Sequence, residues 1–231
     1  MKSLDESLLS GLPPFLKLQR HQIRLILDQA TASRVETGST VFDEGTKAER
    51  FFLLLDGHIR VVKVTADGDQ VIAMHIASGQ LFGIATALGK TEYPATALAA
   101  RECLVLSWPN TLWAGFVAEY EGFATETYKV VGYRLDEINK RVMEMATQQV
   151  EQRIASVLLR LINQAGKKVG DGIEIDFPIT RQNISEMTGT TLHTVSRLLS
   201  AWEKAGIVAS KRSKVTVTDA HKLVLLSAAQ H

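Results

Sequence analysis

A chain of 231 residues, 45% hydrophobic and 22% charged, holds enough apolar mass for one large or two smaller packed domains, which excludes a disordered chain. Its longest apolar runs are strand-sized, and Met1-Lys2-Ser3-Leu4-Asp5-Glu6 carries acids without a hydrophobic segment, so neither a membrane span nor a signal peptide is expected. Cys103 is the single cysteine, which excludes an internal disulfide and an iron–sulfur cluster held by four thiolates, and the expected location is the cytoplasm. The net charge of +1 hides an asymmetry: eleven basic and seven acidic residues lie from Glu151 onward, leaving −3 before it. Excess positive charge in the last third is the pattern expected if that part meets phosphate.

Residues 35 to 108 read as short strands. Val35 to Phe42 leads into Glu44-Gly45, and Phe51-Phe52-Leu53-Leu54-Leu55 stops at Asp56-Gly57. Ile59 to Thr65 alternates up to the Asp67-Gly68-Asp69 turn, and Val71 to Ile76 returns from it. Turn signals at roughly 8–12-residue spacing between such runs argue for a sandwich or barrel.

The period changes after Pro109. Ala124, Tyr128, Val131, Leu135, Ile138, Val142 and Met145 repeat at alternating spacings of four and three, a heptad seam with charged residues on other faces. An amphipathic helix lying on the barrel would show a similar stripe. The strict 3.5-residue period favours a two-stranded coiled coil between copies. Ala146-Thr147-Gln148-Gln149 interrupts the seam as a hinge, and a second helix follows with Ile154, Val157, Leu158 and Leu161 inward, ending near Gly166. Asn163 to Gly172 reads as a polar surface loop and Ile173 to Pro178 as a strand.

Thr180 is a good N-cap for a helix from Arg181 to Met187, and Thr188-Gly189-Thr190 is a tight turn. Thr191 caps a second helix from Leu192 to about Lys204, ended by Gly206. Val195, Leu198, Leu199 and Trp202 fall on one face, while His193, Ser196, Arg197 and Ser200 fall on the opposite one. Two short helices across a Gly turn, the second polar and basic outside, predict a helix-turn-helix whose outer face enters a major groove. Ile207-Val208-Ala209 and Val215-Thr216-Val217 read as a hairpin, a wing whose tip carries Lys211, Arg212 and Lys214 toward the phosphate backbone.

The run from Ile179-Thr180-Arg181-Gln182-Asn183-Ile184 through Gly189-Thr190-Thr191-Leu192-His193-Thr194-Val195-Ser196-Arg197-Leu198-Leu199 is similar to the helix-turn-helix signature of the CRP/FNR superfamily. The order of barrel, long helix and winged domain is similar as well, over nearly the whole chain. The resemblance implies an α+β fold: a cyclic-nucleotide-binding-like β-roll with N-terminal helices over 1–120, a coiled-coil dimerisation helix over 121–146, and a winged helix-turn-helix over 147–223. It implies a transcription regulator, not an enzyme, with duplex DNA carrying a palindromic operator, RNA polymerase and a second copy of the chain as partners. It also implies Arg197 on guanine, Ser196 on a neighbouring base, and Arg181, Gln182 and Thr191 on phosphate, with Thr194 and the wing cations in the same interface. Many members place a cytosine-reading Glu where this chain has His193, and a neutral imidazole cannot replace a carboxylate.

Cyclic-nucleotide-binding relatives carry Phe-Gly-Glu followed by an Arg. This chain has Phe82-Gly83-Ile84, and no arginine lies between Arg60 and Arg101, so a cyclic phosphate would lack its partner. The text Phe82-Gly83-Ile84-Ala85-Thr86-Ala87-Leu88-Gly89, with Tyr93-Pro94-Ala95-Thr96 and the helix-turn-helix run, resembles the NnrR branch, which controls nitrite and nitric oxide reductase genes in response to nitric oxide. That resemblance implies the effector. Should haem relay the signal, His75 and His58 are the candidate axial ligands. Cys103, amid Leu104-Val105-Leu106, reads as a small core residue. A regulator of the same type answering another small ligand such as cyclic AMP, or none, is the alternative. A nucleotide hydrolase using Lys90 and Thr91 is a remote one, because Gly83 to Gly89-Lys90-Thr91 has five residues between the glycines where a phosphate-binding loop needs four.

Overall fold

The computed structural model describes residues 5–228, so Met1 to Leu4, part of the segment read above as lacking a leader, lie outside the described residues. The chain divides into two units: residues up to Lys63 together with Met74–Glu137, and Val64–Ala73 together with Ile138 onward.

The chain begins with α1 (Ser7–Ser10) and α2 (Arg20–Asp28) and continues through β1 (Thr31–Val35), β2 (Thr40–Phe42), β3 (Arg50–Asp56), β4 (His58–Val64), β5 (Gln70–Ala77), β6 (Leu81–Phe82), β7 (Thr96–Ala99) and β8 (Cys103–Pro109), all in the first unit except the 64–73 segment of β4 and β5. Then come α3 (Trp113–Glu119) and the long α4 (Glu121–Thr147), whose residues from Ile138 on belong to the second unit. The strands form two four-stranded sheets, ordered β1-β8-β3-β6 and β2-β7-β4-β5, which close over a shared core as a β-roll. The continuous apolar run in β3 has a simple cause. Phe52 and Leu54 point between the sheets, while Phe51 and Leu53 point outward onto α1, α2, α3 and the start of α4. Both faces of β3 are covered, so neither alternates with polar residues. Between the sheets, Phe42, Phe52, Phe82 and Tyr93 stack, with Phe42 and Tyr93 centroids 3.8 Å apart. Cys103 is buried in this core, as expected for a small packing residue.

On α4, Phe123 and Thr127 are buried, and Val131 packs against the first unit's outer core. Farther along, the Arg134 guanidinium donates to the Leu81 carbonyl, and burial pulls its pKa down to about 10. Tyr128, Leu135, Ile138, Val142 and Met145 are exposed along the helix. The expected seam is therefore largely open to solvent in one chain, with Ala124 and Val131 half-buried.

The second unit contains α5 (Val150–Ala165), β9 (Gly166–Val169), β10 (Gly172–Ile175), α6 (Arg181–Thr188), α7 (Leu192–Lys204), β11 (Val208–Lys211), β12 (Lys214–Val217) and α8 (Ala220–Ala228). The expected break after α4 falls at Gln148-Gln149, where Gln149 and Gln152 form a capping box that starts α5 afresh. The stretch Asn163 to Gly172, expected as a loop, instead finishes α5 and supplies β9, which pairs antiparallel with β10. A Cβ at Gly166 would lie 2.1 Å from the Ile162 carbonyl oxygen, so glycine is what lets the chain turn straight from helix into strand. The expected Ile173–Pro178 strand is shortened to β10. The sheet runs β11-β12-β10-β9, and α8, beyond the last element read from the sequence, packs on α5.

Candidate nucleic-acid interface

The sequence builds α6 and α7 by local rules. The Thr180 hydroxyl accepts from the Asn183 N–H at 3.1 Å, and the Asn183 carboxamide accepts from the Thr180 N–H at 3.1 Å, which satisfies two otherwise orphaned donors. Gly189 ends α6 with φ at +60°, a left-handed conformation that a side chain would strain. Thr191 then caps α7, accepting from the Thr194 N–H at 3.2 Å, and the two threonine hydroxyls bond each other at 3.0 Å. Burial of Val195, Leu199 and Trp202 fixes the rotation of α7, and the Trp202 indole N–H donates to the Glu151 carboxylate at 3.1 Å.

That rotation places His193 and Arg197 on the exposed side, with Ser196 beside them half-buried. Leu198, expected inward, is only half-buried. Leu192 opens the helix 46% exposed, an apolar group on this polar face to which sequence reading gave no role. The wing is the hairpin of β11 and β12, as expected. Arg212 and Ser213 occupy its tip with φ of +49° and +62°, both left-handed, a turn that favours Asn or Gly. The Ser213 carbonyl accepts from the Ile179 N–H at 2.7 Å, tying the tip to the segment before α6.

Arg181, expected to reach phosphate, is bonded within the chain. One terminal nitrogen donates to the Ser200 hydroxyl at 3.2 Å and the Ser196 carbonyl at 3.4 Å. The other meets both Glu203 carboxylate oxygens, at 3.2 and 3.3 Å. Gln182 donates to Glu186 at 3.0 Å. Lys214 pairs with Glu174 at 2.7 Å, a bond that raises the lysine pKa. Among the described residues Arg197, Lys211 and Arg212 form no ion pair with a carboxylate. A cleft of about 420 Å³ opens between the start of α6, the start of α7 and the wing, lined by Thr180, Arg181, Leu192, Lys211, Arg212 and Lys214 among others. The structure thus brings Arg181, Gln182 and the wing cations to one cleft at the start of α7, and Arg181 ties that cleft to Ser196 and Ser200, with Glu203 and Ser210 bonded among them. Those two carried no sequence signal, because Glu203 lies 22 positions from its partner Arg181.

In the first unit, the His58 ring Nε2 lies 2.8 Å from the His75 Nδ1. Burial first, then the Arg101 and Arg60 charges, drive the His58 pKa down to about 3, so the ring is neutral. No group of three or more metal-ligating side chains occurs among the described residues. Nor is any described helix long and apolar enough to cross a membrane.

Two family models match the chain: a Crp-like helix-turn-helix domain over residues 152–226 and a cyclic nucleotide-binding domain over residues 32–120. The global nitrogen regulator of Nostoc sp. is 27% identical over 83% of this chain and 86% of its own. The CRP-like cAMP-activated global transcriptional regulator of Mycobacterium tuberculosis is 20% identical over 80% of this chain and 83% of its own. Among solved structures, FixK2 from Bradyrhizobium japonicum superposes with a TM-score of 0.76 at 21% identity, covering 87% of this chain and 99% of that one.

Proposed function

We propose that the chain is a DNA-binding transcription regulator of the CRP/FNR type, not an enzyme, acting as a cytoplasmic homodimer that reads a palindromic operator through Arg197, Ser196 and His193, a reading supported by the two matching family models and the regulators it resembles. One observation carries the reading: α7 buries Val195, Leu199 and Trp202 while holding Arg197 and His193 out to solvent. A guanidinium so placed can bond guanine O6 and N7 together, the commonest specific contact in a major groove. Lys211 and Arg212 supply phosphate contacts that orient the domain without specifying bases. The pairing of Arg181 and Lys214 with carboxylates makes their phosphate contacts secondary in this reading. Duplex selection with the purified protein should return a two-fold symmetric site, and recovery of unrelated sequences would contradict it.

The exposed Tyr128, Leu135, Ile138, Val142 and Met145 support pairing of two α4 helices, since a monomer would leave that stripe in water. A dimer on DNA places its two α7 helices about one helical turn, ~34 Å, apart. Binding upstream of promoters would then position the dimer beside RNA polymerase as an activator.

For the effector we propose nitric oxide and a denitrification regulon, on the strength of the Phe82 to Gly89 text and the helix-turn-helix run. Cyclic AMP is disfavoured by Ile84, buried at 5% exposure where the nucleotide-binding pattern has its Glu. Haem does not fit the two histidines as they stand: His58 is turned onto His75, and aromatic rings fill the space between the sheets. Anaerobic titration of the protein with nitric oxide, read as a gain in operator affinity, tests the effector. A gain with cyclic AMP instead would move the protein to the other branch.

A further inference from the structure

An anion inside a surface built for phosphate needs a reason, because it repels the ligand. Glu203 sits near the end of α7, 30% exposed, among the cations of the proposed DNA face. Both of its carboxylate oxygens accept from one terminal nitrogen of Arg181, at the start of α6, and one of them also accepts from the Ser210 hydroxyl on the first wing strand, β11. Three elements that must hold one geometry on DNA therefore meet at one side chain. Through Arg181 the same node reaches the Ser196 carbonyl and the Ser200 hydroxyl on the flank of α7. The other strand of the wing is held separately, by Lys214 on Glu174 and by the Ser213 carbonyl on Ile179.

We propose that Glu203 is a positioning residue for DNA binding: it clamps the wing to the recognition helix, so that Lys211 and Arg212, which directly follow Ser210, stand over the phosphate backbone. It touches no base itself. Resting as it does on the DNA-reading function above, the proposal separates two properties that a general loss of folding would lower together. Base preference belongs to the exposed side of α7, and salt dependence belongs to the cations the clamp holds. Each phosphate contact contributes about 0.9 to the slope of log K against log salt.

The test measures operator and random-duplex affinity of full-length Glu203→Ala across a salt series, alongside wild type and Ser210→Ala. Glu203→Ala should bind operator about 30-fold more weakly near 0.15 M salt, with the slope shallower by about two and the ranking of single-base operator variants unchanged. Ser210→Ala, which leaves the Arg181–Glu203 pair in place, should shift the slope the same way by a smaller amount and guards against a folding artefact. A wild-type slope in both variants overturns the clamp. So does a steeper slope in Glu203→Ala, which would mean that the carboxylate merely masks Arg181 from phosphate. Wild-type protein without any base preference would overturn the DNA reading itself, a result distinguishable from either.

Discussion

At position 193 an exposed imidazole stands, in the proposed interface, where the family resemblance implies a carboxylate accepting from cytosine N4. His193→Glu should therefore move the preference at one base pair toward cytosine by about 1–3 kcal/mol, read by competition among operator variants, and an unchanged preference would remove His193 from the interface. Inside the β-roll, His58 behaves oppositely, as a base kept neutral. Its folded pKa of about 3 lies below the ordinary 6.5, so below pH 6.5 the unfolded chain takes up a proton that the folded one refuses. Stability is thus lost as pH falls from 6.5 toward 3. Thermal melts from pH 7 to 4.5 should show a steeper fall for wild type than for His58→Gln, and parallel curves would contradict the burial argument. Individual side chains were readable from sequence where their rotation is set by helix period, as for Arg197 opposite Leu199 and Trp202. The destination of Arg181 was not readable, since a partner on another helix leaves no periodic trace.

Among the elements, α6 and α7 were legible because their signals are local: Thr180, Gly189 and Thr191 are caps whose chemistry acts within four residues. Thr180→Ala should cost about 1 kcal/mol, seen as a lower melting midpoint of the winged domain. The wing tip stores strain, since Arg212 and Ser213 both adopt left-handed backbone. Ser213→Gly should stabilise the hairpin by about 0.5–1 kcal/mol with the Lys211 and Arg212 side chains retained, measured by slower hydrogen exchange across β11 and β12. Faster exchange would place the strain elsewhere. Strand β9 was hidden because Gly166-Lys167-Lys168-Val169 is exposed at every position and pairs on one edge only, so no burial pattern marks it. Helix α8 was hidden for another reason: its apolar residues Leu223-Val224-Leu225-Leu226 run consecutively, with Leu223 buried and Val224 and Leu225 exposed, and show no clean helical period.

For the whole molecule, the order of roll, long helix and winged domain was legible because each carries a different hydrophobic period. The two-sided burial of β3 was not, since a short apolar run says only that a segment is buried. The dimer is a proposition about two chains, and it rests on the α4 stripe. Leu135→Glu with Ile138→Glu should yield a monomer by light scattering and lower operator affinity at least tenfold, since one half-site alone must then hold the protein. A dimer persisting through both charges would shift the interface off α4. The most direct measurement of the central claim compares Arg197→Ala with wild type on a selected operator, its single-base variants and random duplex. The account predicts a loss of about 1–3 kcal/mol on operator, no loss on random DNA, and relaxed preference at a single guanine in each half-site. Equal losses on operator and random duplex would contradict it.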